Sequence, residues 1–148
     1  MVSISERDLV VDITSPSASI NIPVDGSYLK GTVTITASGD DINFEKMELY
    51  ISGNLIQTWT RGGTQTYDWD TTMYIDGSYS LRVIVYDEAG NSKPTEITVM
   101  VDNTPPSIKI ASPISGALME KDTITVTWRV DDVTSGIART EISLNDGA

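Results

Sequence analysis

Residues 76–101 read DGSYSLRVIVYDEAGNSKPTEITVMV. Leu81, Val83 and Val85 share one face of an extended chain, and Ile97, Val99 and Val101 share one face of another. Apolar, largely β-branched residues at every second position mark strands that bury one side. Between the two runs stands Asp87-Glu88-Ala89-Gly90-Asn91, whose Asp, Gly and Asn are turn formers. The stretch reads as a β-hairpin.

The same pattern extends upstream. Val33, Ile35 and Ala37 alternate with Thr32, Thr34 and Thr36, and Met47, Leu49 and Ile51 alternate with Glu48, Tyr50 and Ser52. Asp25-Gly26, Ser52-Gly53-Asn54, Gly62-Gly63 and Asp76-Gly77 punctuate the runs. No segment has a helical period. About seven short strands in roughly 90 residues, with turns every ~8–12, predict an all-β fold, an antiparallel sandwich.

The chain also repeats itself. LVVDITSPSASI (9–20) aligns without gaps on VMVDNTPPSIKI (99–110) at an offset of 90. Val11/Val101, Asp12/Asp102, Thr14/Thr104, Pro16/Pro106, Ser17/Ser107 and Ile20/Ile110 are identical pairs. With one inserted residue, Thr32–Thr36 falls on Thr123–Thr127 and Asp40-Asp41 on Asp131-Asp132. A period of ~90 residues suits one small sandwich rather than a solenoid turn. The expected division is the last strand of a preceding repeat at 1–14, a complete domain at 15–106 and the first half of a following repeat at 107–148. On this reading the chain is a window onto a longer tandem array.

Composition narrows the chemistry. The 148 residues hold 10 Lys plus Arg against 21 Asp plus Glu, a net charge of −11. Such a chain is a poor partner for nucleic acid or an anionic membrane surface. It contains no His and no Cys, which removes His-dependent acid–base catalysis, Cys nucleophiles, disulfides and the usual zinc ligands. No apolar run approaches the ~18 residues of a membrane-spanning helix. The first residues lack the basic-then-apolar form of a signal peptide, so a secreted origin implies processing or an excised fragment.

Asp76-Gly77-Ser78-Tyr79-Ser80-Leu81 has the spacing of a tyrosine corner, in which a Tyr hydroxyl reaches back across a loop. Leu81 then takes the place where antibody domains carry a cysteine. These residues, with Trp69-Asp70-Thr71-Thr72, Tyr86–Asn91 and Val101-Asp102-Asn103-Thr104-Pro105-Pro106, resemble the bacterial and archaeal immunoglobulin-like repeats. The resemblance implies a Greek-key sandwich in a cell-surface or secreted protein, used as a non-catalytic spacer or an adhesin tip. It also implies strands A (~18–23), B (~31–38), C (~45–52), C′ (~55–60), E (~65–70), F (~79–87) and G (~94–101). Strands A, B and C of the following repeat are expected at 108–112, 123–130 and 138–145.

In that topology the B–C and F–G loops lie where the chain enters the domain. Asp40, Asp41, Asp87 and Glu88 are then expected near Asp12, and Asp102 and Asn103 near Asp131 and Asp132. Calcium takes 6–8 oxygen ligands, so such junctions could hold it and stiffen the array. The same residues also serve as plain turn formers, and no EF-hand pattern is present. Nothing in the spacing selects a catalytic carboxylate pair. Trp59 and Tyr74 could stack on sugar rings if exposed, whereas Trp69 is expected in the core. The partners expected are neighbouring domains of the same kind or other copies of the chain. One copy could lend residues 1–14 as a strand to residues 107–148 of the next.

Overall fold

The computed structural model describes residues 11–118, 120 and 123–143. The expected preceding strand (1–14) lies mostly outside these residues. Ten strands are present among them: β1 (Ser17–Ile22), β2 (Tyr28–Leu29), β3 (Thr32–Asp40), β4 (Phe44–Ile51), β5 (Asn54–Trp59), β6 (Gly63–Asp70), β7 (Gly77–Asp87), β8 (Ser92–Val101), β9 (Ser107–Ser112) and β10 (Thr127–Asp131). A single 3₁₀ turn, Thr71–Met73, follows β6, and the Asp70 side chain accepts from Thr72 N at its start.

Two sheets face each other. One has the order β1-β3-β6, the other β2-β8-β7-β4-β5. All pairings within them are antiparallel except β2 with β8, which is parallel. The inward positions are those the alternation selects. Ile35, Ala37, Met47, Leu49, Leu81, Val83 and Val85 are 0% exposed. Trp69 from β6 and Val99 and Val101 from β8 complete the core. Close packing extends to Gly39, where an added Cβ would collide with the Val85 side chain. Ser52 and Gly53 both have positive φ in the β4–β5 hairpin (46° and 83°), the conformation a two-residue hairpin turn demands.

Trp69 is the centre of an aromatic cluster. Tyr74 lies 5.3 Å from it and Tyr79 5.8 Å, both edge-on, and the two tyrosines meet at 5.5 Å. The Tyr79 hydroxyl donates to Ile75 O at 2.8 Å, the bond that defines a tyrosine corner. Leu81 is fully buried beneath it.

Two features have no counterpart in the sequence pattern. β2 is two residues long, too short to show a period, and exists through its pairing with Met100 and Val101. The 3₁₀ turn is likewise a single turn. The strands expected at 123–130 and 138–145 are met only in part: Thr127–Asp131 is strand, 138–143 are not, and 144–145 lie outside the described residues. In the complete domain β4 is flanked by β7 and β5. The described residues of 107–143 provide no such neighbours, and an extended segment without a sheet leaves its backbone unpaired. β9 and β10 pair only with each other.

Candidate functional site

The chain reaches the first domain at the end where β3 turns into β4 and β7 into β8. Asp12, on the incoming segment, is fixed there from three sides. Its Oδ1 accepts from Thr14 N (2.9 Å), its Oδ2 from Asn43 Nδ2 (2.9 Å) and its carbonyl from Asn91 Nδ2 (3.2 Å). The bond from Asn43, followed by that from Thr14, holds the Asp12 carboxyl below the usual aspartate range. Asp41 Oδ1 accepts from Asn43 N at 2.9 Å. Asp87, at the end of β7, is fully buried. Its two oxygens accept from Asn91 N (2.7 Å) and Nδ2 (2.8 Å), and Glu88 N donates to Asn43 O at 2.8 Å.

Carboxylate oxygens of Asp12, Asp41 and Asp87 lie within 4.8 Å of one another. Among the described residues none of the three pairs with a Lys or Arg. Three acidic oxygens this close fit around one cation with metal–oxygen bonds of ~2.4 Å. Asp40 and Glu88, expected with them, stand outside the trio. Asp40 Oδ1 accepts from Asp41 N, and Glu88 is exposed.

The downstream junction is built differently from the expectation. Asp102 Oδ1 accepts from Thr104 N (3.2 Å), as Asp12 does from Thr14. Asp132 accepts from the backbone of Thr134, Ser135 and Gly136, as a turn cap. Asp131 is bound to Arg129 at 2.6 Å. Asp102, Asp131 and Asp132 line one groove of about 330 Å³, but no second carboxylate trio forms among the described residues.

Asn103 does not face that groove with its amide; it is a staple of the domain. Its Oδ1 accepts from Gly31 N (2.9 Å) and lies 3.3 Å from Thr71 Oγ1, and its Nδ2 donates to Thr71 O (3.0 Å). Its own N–H donates to Asp76 Oδ1 (2.7 Å), and Thr104 Oγ1 donates to Asp76 Oδ2. The counterpart of Asn103 at offset 90 is Ile13, which cannot make these bonds. The repeat therefore gave no hint of them.

The Asp76 clasp predicts a pH dependence. The bond from Asn103 N–H, then that from Thr104, holds the Asp76 carboxyl below the usual aspartate range. A carboxyl depressed in the folded state adds stability above its unfolded pKa and loses it as pH falls through the folded value. Tm of the wild type is expected to fall between about pH 4 and 2 more steeply than that of Asp76→Asn. Equal slopes in thermal melts across that range would refute the clasp.

The aromatic candidates sit close to the core. Trp59 is half-buried opposite Met47, and Tyr74 is half-buried against Trp69. On the outer face of the larger sheet lies a network the sequence pattern did not single out. Glu48 is only 7% exposed; it binds Lys46 Nζ (2.8 Å) and accepts from the Tyr50 hydroxyl (2.7 Å). That bond pushes the Tyr50 pKa up to about 12. Lys46 also stands 4.8 Å over the Tyr86 ring. The network ties β4 to β7 and explains how a carboxylate is buried there without an uncompensated charge.

Comparison with known proteins agrees with this architecture. Residues 11–83 match the family described as Bacterial Ig domain. Among solved structures the chain is similar to an endo-β-1,4-mannanase from Thermotoga petrophila. That match has 26% identity and a TM-score of 0.54, covering 63% of this chain and 21% of that one. It is also similar in fold to fibronectin(III)-like modules of Clostridium thermocellum CbhA. There identity is 20% and the TM-score 0.50, covering 62% of this chain and 48% of that one. The match thus spans about a fifth and about half of those two chains. No curated protein sequence matches. With two facing antiparallel sheets and a tyrosine corner already in place, the family match identifies a bacterial Ig-like domain in this chain.

Proposed function

We propose that the chain is a non-catalytic structural segment of a longer cell-surface or secreted protein, one that sets reach and stiffness. The observation that carries this reading is how the chain enters and leaves. It arrives at one pole, where Asn43 and Asn91 hold Asp12. It leaves at the opposite pole, where Asp76 holds Asn103 and Thr104. Only then come Pro105 and Pro106, whose fixed φ limits the freedom that remains. Force applied along such a chain passes through clamped joints rather than flexible coil. Matching a fifth of a mannanase chain supports the idea of an accessory segment beside other domains.

NMR relaxation tests the clamping directly. Backbone order parameters at residues 12–14 and 102–104 are expected to equal those of β7, about 0.85. Values under about 0.6 at both sites would sink the spacer reading.

The same reading assigns a calcium ion to Asp12, Asp41 and Asp87, linking the incoming segment to both loops. With a Kd of ~0.1 mM, about 3 mM calcium adds roughly 2 kcal/mol to the folded state. That corresponds to a Tm rise of roughly 10 °C. In Asp41→Asn, whose amide oxygen can still accept from Asn43 N, the rise is expected to vanish, while the melt in chelator stays close to wild type. A wild-type melt that moves by less than about 1 °C between calcium and chelator removes the ion from this account.

A further inference from the structure

The outer face of the larger sheet carries a groove beside the Glu48 network. Met47, Leu49, Val83 and Val85 are buried in the core, so alternation turns Glu48, Tyr50, Arg82 and Ile84 outward. Tyr50 stands opposite Arg82 in register, and Glu48 opposite Ile84. Tyr50, Arg82 and Ile84, with Gly53 of the β4–β5 hairpin, line a groove of about 230 Å³. That is smaller than the ~300–1,000 Å³ of a drug-sized pocket and suits a single ring-sized group. Gly53, held at positive φ, has no side chain to close the hairpin end. Every lining residue belongs to the complete domain, and none lies in the flanking segments.

The lining is ordered before any ligand arrives. The Tyr50 ring is held at both ends, by its backbone in β4 and by its hydroxyl, which donates to Glu48 at 2.7 Å. Glu48 is fixed in turn by Lys46. A ring immobilised beforehand loses little entropy on binding. Tyr86, the other tyrosine beside Lys46, has the ammonium over its ring at 4.8 Å, so within this network Tyr50 is the ring left for stacking. Arg82 is exposed and faces Glu96 across β7 and β8. Among the described residues it nevertheless makes no ion pair. Its planar fork of N–H donors is therefore free to serve the groove.

A pyranose ring matches this lining. Its C–H face is apolar and suits Tyr50 and Ile84, and its hydroxyl rim accepts from Arg82. The net charge of −11 and the carboxylate of Glu96 opposite Arg82 disfavour a polyanionic chain. We propose that the groove binds one residue of a neutral polysaccharide, with Tyr50 stacked on the ring and Arg82 donating to adjacent hydroxyls. This gives the structural segment a foothold on a glycan. It does not rest on the spacer reading, because order at residues 12–14 and 102–104 is independent of the groove. It is equally independent of the calcium site.

The test is an NMR titration of the isotope-labelled 148-residue chain. The probes are cellohexaose, mannohexaose and maltohexaose, and separately a hexamer of galacturonic acid. A neutral hexamer is expected to bind with a Kd of ~1 mM and to shift the amide signals of residues 50–53 and 82–84. Arg82→Gln removes the donor fork from an exposed position and is expected to weaken binding about tenfold. Its Tm is expected to stay within about 2 °C of wild type. Tyr50→Leu removes the stacking ring and is expected to abolish the shifts, with circular dichroism checking that the sheets remain. No shift at these residues with any neutral hexamer at about 20 mM overturns the proposal. So does binding that survives both substitutions, which places the sugar elsewhere. Binding of the acidic hexamer alone overturns the neutral assignment and makes Arg82 a carboxylate site.

Discussion

Replacing Trp69 by Ala is expected to destabilise the domain by about 3–5 kcal/mol. The indole is 1% exposed and fills the space between the two sheets at the level of Tyr74 and Tyr79. Its removal discards the largest fully buried side chain of the core and two edge-on ring contacts, and leaves a void too enclosed to collapse. For a domain of this size the loss corresponds to a Tm fall of roughly 15 °C or more. Trp69→Phe keeps a ring in the site and is expected to cost less, about 1–3 kcal/mol. The indole Nε1 has no hydrogen-bond partner among the described residues, so no bond is lost in that change. Chemical denaturation of the three proteins side by side checks the order. An alanine variant within 1 kcal/mol of wild type would mean that Trp69 does not hold the sheets together.

Asn103→Ala is the second large effect, about 3 kcal/mol. The side chain bridges three parts of the chain: the start of β3 through Gly31, the 3₁₀ turn through Thr71, and its own strand exit after β8. Alanine leaves Gly31 N–H and one of the bonds to Thr71 O without a partner. Each polar group orphaned in a partly buried site costs about 1–3 kcal/mol. Thr71, fully buried, retains its own bonds to Gly31 O through N and Oγ1, which limits the damage. Asn103→Asp keeps the acceptor for Gly31 but turns a carboxylate oxygen towards Thr71 O, so it is expected to recover little. If both variants melt within 2 °C of wild type, the staple has no energetic weight. A calcium dependence unchanged in Asn103→Ala would further separate this residue from the metal candidates.

These two residues show how far the sequence could be read. The placement of Trp69 followed from alternation in β6, and the pairing of Tyr79 with the loop before it followed from the spacing of Asp76, Gly77 and Tyr79. Both are local signals. The role of Asn103 was not local. Its partners lie 72 and 32 residues away, and an asparagine after a strand reads equally well as a ligand, a turn former or a cap. Asn43 and Asn91 escaped for the same reason. Their amides matter only because Asp12 arrives beside them from 31 and 79 residues upstream.

The acidic candidates divide along the same line. The topology implied that Asp12, Asp41 and Asp87 would share one pole, and their oxygens do meet there. Asp40 and Glu88, expected with them, stand outside: Asp40 accepts from Asp41 N and Glu88 is exposed. At the downstream junction Arg129 pairs with Asp131, and three backbone N–H groups bind Asp132. At the level of strands the period of two was enough, since burial on one face leaves a strand no freedom to choose its other face. By itself the sequence determined the sandwich, its strands and its repeat, because these rest on alternation and turn chemistry a few residues wide. The tertiary structure alone decided β2, the two linker clasps, the buried Glu48 network and the make-up of the carboxylate trio. The clasps and the trio join side chains far apart in the chain, β2 rests on backbone pairing with Met100 and Val101, and the Glu48 network gains Tyr86 from β7, so each forms only once the sheets have closed.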